Sequence, residues 1–140
     1  MLGPRYELFD HTADLGVRAF ASTLAGLIPP CTEGLYAAFG SVAAGGSGSA
    51  WRSEWQGRDP AMLLRDYLAD VLDLFYRERR RLKEIHAETF DEGRLMVRGL
   101  ACAVDELASD LSREVKAVTY HELAIRPIPG GYEATFIVDI

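Results

Sequence analysis

Two groups of residues could do chemistry, and they lie at opposite ends of the chain. Asp10, His11, Thr12 and Asp14 fall in one short polar stretch, while Lys116, Asp139 and the carboxylate carried on Ile140 sit near or at the other end. If the first and last strands are neighbours in a sheet, Asp14 joins Asp139 and the Ile140 carboxylate to make three acidic oxygen donors. Hard cations such as calcium or magnesium are bound through oxygen of this kind, whereas zinc would want His or Cys in numbers this chain lacks. Without a cation the like charges would repel, and Lys116 is the other group able to relieve them. Lysine is rarely buried unless paired, so Lys116 inside an apolar strand calls for a partner. The stretch Asp10-His11-Thr12-Ala13-Asp14 also reads as a polar turn whose side chains bond to local backbone, and pattern alone favours that reading. His11, His86 and His121 are widely separated and read individually as structural or surface residues.

The elements that must position these groups follow from periodicity. Tyr132, Ala134, Phe136, Val138 and Ile140 alternate with Glu133, Thr135, Ile137 and Asp139, which predicts a terminal strand. Val115 to Ile125 predicts a second strand, and Pro127, Pro129, Gly130 and Gly131 predict the turn of a hairpin between them. With Ile125 set opposite Tyr132, Val118 faces Asp139 and Lys116 is its diagonal neighbour on the same face. Tyr6–Phe9 and Leu15–Phe20 predict two short strands flanking the polar stretch.

Between the ends, Ser22 or Thr23 is placed to cap a helix starting near Leu24, with a break at Pro29-Pro30 and a second helical piece running to about Gly40. Gly45-Gly46-Ser47-Gly48-Ser49 predicts a flexible loop, and Trp51–Trp55 a strand. Asp59-Pro60 opens a long helix whose Leu63, Leu64, Tyr67, Leu68, Val71, Leu72 and Phe75 form one apolar stripe. The basic run Arg77 to Arg81 suits the end of that helix and reads as a solvated face rather than a phosphate patch. Leu82–Phe90 and Arg94–Val104 predict a second hairpin turning at Asp91-Glu92-Gly93. Asp105 to Arg113 reads as a polar connection. The expected architecture is α+β: a mixed, largely antiparallel β-sheet with two main helices packed on it, its other face more open.

The 140 residues fit a single domain spanning 1–140, and a net charge of −6 with a pI near 5.0 argues against a nonspecific grip on nucleic acid. Cys31 and Cys102 lack metal-ligand spacing and read as buried free thiols. No apolar run approaches the roughly 20 residues of a membrane span and no signal-peptide pattern opens the chain, so a soluble, cytoplasmic protein is expected. The GxGxxG, Walker, GxSxG and HExxH signatures are absent, and nothing indicates a self-sufficient enzyme.

Tyr6–Phe9, His11-Thr12-Ala13-Asp14-Leu15-Gly16, Val115 to His121 and the final Val138-Asp139-Ile140 together resemble the archease family over essentially the whole chain. The resemblance implies an archease-like sandwich and a non-catalytic accessory protein. Its partner would be the tRNA-splicing RNA ligase that joins 2′,3′-cyclic-phosphate or 3′-phosphate ends to 5′-hydroxyl ends. It implies promotion of ligase guanylylation and multiple turnover, sometimes with broadened nucleotide use, and RNA contact that is only indirect or weak. It further implies a divalent cation, most often calcium with magnesium or manganese as alternatives, held by Asp14, Asp139 and Ile140, and it places the family's essential lysine on Lys116. Pro29-Pro30 and Leu100 to Arg113 depart from the family pattern. Two other classes are compatible with the same residues: a stand-alone metal-dependent phosphodiesterase using the acids, and a chaperone-like protein-binding module.

Overall fold

The computed structural model describes residues 2–11 and 14–140. Its elements, in chain order, are β1 (Arg5–His11), β2 (Asp14–Ala21), α1 (Ile28–Ala37), β3 (Ala44–Gln56), α2 (Pro60–Glu78), β4 (Arg80–Phe90), β5 (Arg94–Val104), β6 (Ala117–Val118), β7 (Ala124–Ile128) and β8 (Gly131–Asp139). This is the expected α+β class with two main helices, but the strands form two sheets rather than one, and every pairing among the described residues is antiparallel. One sheet runs β1-β2-β8-β6 with β7 also on β8, and the other runs β3-β5-β4.

The helices join the sheets. α1 packs on β1, β2 and β4, while α2 packs on β3, β4, β5 and β6. The α2 stripe behaves as its periodicity requires: Leu63, Leu64, Tyr67, Leu68, Val71, Leu72 and Phe75 are all buried. Asp59 caps the helix by accepting from the Ala61 N–H at 3.0 Å, and Pro60 stands in the first turn, where its missing donor costs nothing. Arg79 closes it in the left-handed conformation (φ 52°). Trp55 donates its indole N–H to Asp70 at 2.7 Å and meets the Tyr67 ring edge-on, fixing β3 against α2.

Pro29 and Pro30 do not break a helix. A 3-10 turn at Ala25–Leu27, with Gly26 N–H bonded to the Thr23 hydroxyl at 2.9 Å, leads into α1, and both prolines occupy its first turn. The Gly45–Ser49 stretch, expected as a flexible loop, belongs to β3 and forms an irregularity in its pairing with β5. Gly48 has φ +74°, and a Cβ there would lie 2.5 Å from Cys102 Sγ, so the glycines let the backbone bulge and close onto β5. The β4–β5 turn forms as predicted, with Asp91 Oδ1 accepting from the Gly93 and Arg94 N–H groups.

Three buried titratable groups tie the core to pH. Thr32 donates to the Ile28 carbonyl, so the 2.6 Å contact between Thr32 and Tyr67 is a bond from the tyrosine hydroxyl. Tyr36 accepts from the Leu82 N–H at 2.8 Å. Burial pushes Tyr36 up to about 12, Tyr67 well above the usual tyrosine range, and the Cys31 thiol upward as well. The folded chain therefore keeps protons that the unfolded chain loses, and the stability this carries is complete below the unfolded values and lost as pH rises through the folded ones. Unfolding free energy should fall above about pH 9, eventually by roughly 1.4 kcal/mol per pH unit for each group. Urea unfolding at about pH 8 and about pH 11 checks this; equal midpoints would contradict it.

Candidate functional site

At one end of the five-stranded sheet a single row crosses four strands: His11 pairs with Asp14, Asp14 with Asp139, and Asp139 with Ala117. Directly opposed residues of an antiparallel pair share a face, with Cα atoms about 4.5–5.5 Å apart. The next row inward, Leu15, Val138 and Val118, is buried toward the helices. His11, Asp14 and Asp139 therefore project on the opposite, outer face, because side chains alternate along each strand. Asp139 is exposed and Ile140 half-buried against the edge of the core.

The end of β8 is held rather than frayed. Asp139 O accepts the Lys116 N–H at 2.7 Å, and Ile137 O accepts both the N–H and the hydroxyl of Thr119 at 3.0 Å. The Asp14 and Asp139 carboxylates offer oxygen only, a donor type that fits a hard divalent cation and not a thiophilic one. Thr12 and Ala13, between His11 and Asp14, lie outside the described residues.

Lys116 does not share that face, which corrects the assumed register. Ile125 stands opposite Ala134, not Tyr132, and Ala117 rather than Val118 stands opposite Asp139. The cause is the stretch Thr119 to Leu123, which leaves the sheet between β6 and β7. Thr119 Oγ1 accepts the His121 N–H, and Glu122 turns the chain at φ 52°. A one-residue shift exchanges faces. The Lys116 side chain accordingly lines a cavity of about 240 Å³ on the α2 side, with Arg65, Ala69, Leu72, Asp73 and Tyr76. Its main chain is fixed from both directions, by Tyr76 donating to Val115 O at 2.7 Å and Arg65 donating to Val118 O at 3.1 Å. The ammonium itself makes no ion pair among the described residues.

Sequence separation concealed one cluster. His11 Nε2 lies 2.7 Å from a Glu122 carboxylate oxygen, its Nδ1 lies 3.7 Å from Asp14, and the His11 and His121 rings meet edge-on at 5.1 Å between centroids. The polar interruption Thr119-Tyr120-His121-Glu122 in an otherwise apolar run was the available signal. His86 lies apart on β4 and is exposed.

Elsewhere on the outer face Arg18 bonds Glu7 at 2.8 Å and Glu133 at 3.1 Å and lies over the Phe9 ring, while Arg126 also pairs with Glu133. The Arg18 guanidinium holds the Glu7 carboxyl below its ordinary value. Phe9 fits because Gly16 opposes it, where a Cβ would fall 2.1 Å from the ring. The basic run is dispersed, as a structural reading requires: Arg77 pairs with Asp73, Arg79 with Glu106 and Arg81 with Glu33, and Arg80 bonds Ser49.

Together these features define a small two-sheet α+β protein with acids and imidazoles gathered at one sheet end. The model of the Archease protein family (MTH1598/TM1083) matches residues 6–140, and the chain belongs to that family. It is 29% identical over 140 residues to Protein archease of Thermococcus gammatolerans, covering 97% of this chain and 99% of the relative. The solution structure of Methanobacterium thermoautotrophicum protein 1598 superposes with a TM-score of 0.71 at 27% identity, over 96% of this chain and 98% of that one. The crystal structure of an archease, a possible chaperone, from Thermotoga maritima shares the fold with a TM-score of 0.63 at 14% identity, over 96% of both chains. Among the described residues no helix is long and apolar enough to cross a membrane.

Proposed function

We propose that this chain is a cytoplasmic, non-catalytic activator of an RNA ligase of the 3′-phosphate/5′-hydroxyl type. It would promote guanylylation and repeated turnover by presenting the acidic sheet end to the ligase. The observation that carries the reading is the direct pairing of Asp14 with Asp139, in a chain that belongs to the archease family. Asp14, Asp139 and the Ile140 carboxylate would hold a divalent cation, calcium foremost. When bound, that ion supplies positive charge to phosphate oxygens during nucleotidyl transfer. The chain's own contribution is rigidity: the strands that carry both acids are paired along their length, so the donors are set before a partner arrives. Lys116, exposed on the α2 side of the same end, would meet a phosphate or an acidic group of the partner rather than the cation.

The reading is tested by measuring ligase guanylylation with and without this protein, and RNA or model phosphodiester turnover by the protein alone. Stimulation of the ligase, no turnover alone, and at least about tenfold weaker stimulation by Lys116→Ala are expected. Turnover without any ligase would favour the stand-alone phosphodiesterase. Improved solubility of unrelated proteins, insensitive to Asp14 and Asp139, would favour the chaperone-like module.

A further inference from the structure

His11, His121 and Glu122 come from two segments far apart in sequence, the end of β1 and the turn between β6 and β7. One potential ligand atom from each lies within 4.8 Å of the other two. Two imidazoles and one carboxylate are a donor set that hard cations do not select and that zinc and its first-row neighbours do. Bound at distances of about 2.0–2.2 Å, tetrahedral neighbours stand roughly 3.3 Å apart, so the 2.7 Å contact between His11 and Glu122 needs to open only slightly. The Glu122 side chain is half in solvent, which makes that movement inexpensive.

His11 Nδ1 is buried and has no hydrogen-bond partner among the described residues, with Asp14 Oδ2 at 3.7 Å. In a neutral ring whose Nε2–H bonds Glu122, Nδ1 turns a lone pair toward the Asp14 carboxylate, which satisfies neither group. A cation on Nε2 reverses this. The ring proton then resides on Nδ1 and faces Asp14, the carboxylate–histidine–metal arrangement that fixes ring orientation in metal sites.

We infer that His11, His121 and Glu122 form a binding site for a borderline divalent cation of the zinc class, oriented by Asp14 and separate from the oxygen-only position at Asp139. The exposure of His121 and Glu122 leaves a further coordination position open to water. The inference stands whether or not the oxygen-only position takes a cation or the chain serves a ligase.

The experiment titrates Zn²⁺, with Co²⁺ as a spectroscopic probe, into the full chain in the presence of excess Ca²⁺. One Zn²⁺ per chain and visible Co²⁺ ligand-field bands are expected. His121→Gln and Glu122→Gln should each weaken Zn²⁺ binding by more than about tenfold, and by more than Asp139→Asn does. Both substituted positions are exposed in a turn, and unchanged unfolding midpoints confirm that the variants fold. Absence of stoichiometric Zn²⁺ in the wild type, full binding by both glutamine variants, or loss on Asp139→Asn alone would overturn the inference, the last by placing the ion with the oxygen donors.

Discussion

Replacing Asp139 with asparagine is expected to leave the fold intact and to lower stimulation of the proposed partner ligase by at least about tenfold, equivalent to roughly 1.4 kcal/mol. The fold should survive because the structural bonds at this position are main-chain: Asp139 O accepts from Lys116 N–H, and the Asp14 pairing is a ladder contact. The side chain is exposed and makes no hydrogen bond or ion pair among the described residues. Asparagine keeps its size and one carbonyl oxygen but removes the charge that a divalent cation selects. Asp14→Asn should act similarly, although it also removes the carboxylate facing His11. If both carboxylates hold one ion, as proposed, the double variant should fall well short of the product of the single losses. Guanylylation rates across the four proteins measure this. Unaltered stimulation by both single variants would remove Asp14 and Asp139 from the function.

Phe75→Ala is expected to cost about 3–5 kcal/mol of unfolding free energy. The ring is 1% exposed and stands where the end of α2 meets the segment after α1. It stacks on Phe39 at 4.5 Å between centroids, meets Tyr76 edge-on at 5.2 Å, and carries the Arg79 guanidinium at 4.4 Å. Truncation would leave a void bounded by two aromatic rings and a helix end, none free to collapse into it. The consequence would reach the site, because neighbouring Tyr76 holds the Val115 carbonyl beside Lys116. Denaturant unfolding with an unchanged m-value measures the loss. A change below about 1 kcal/mol would show that the region repacks.

What the sequence reveals depends on how local the cause is. The α2 stripe, its Asp59-Pro60 start, the β4–β5 turn and the terminal strand were legible because each follows from residues within a few positions of one another. The adjacency of Asp14 and Asp139 was readable only as a condition on the order of strands, which the structure meets through β2 rather than β1. Three features were not legible. Gly45 to Ser49 has the composition of a loop, and only the close approach of β5 makes it a bulged strand. The face of Lys116 turned on a single residue of register, set by a turn at Thr119 to Leu123 that β-propensity does not mark. His11 and His121 meet because that same turn folds back over the sheet end, a long-range consequence of chain geometry rather than of spacing.

Calorimetric titration of Ca²⁺ into this chain asks whether the paired ends of β2 and β8 hold the proposed divalent cation. One site per chain is expected, weakened by more than about tenfold in Asp139→Asn and similarly when a few residues are appended after Ile140 with the fold retained. No measurable Ca²⁺ binding, or binding indifferent to both changes, would contradict it.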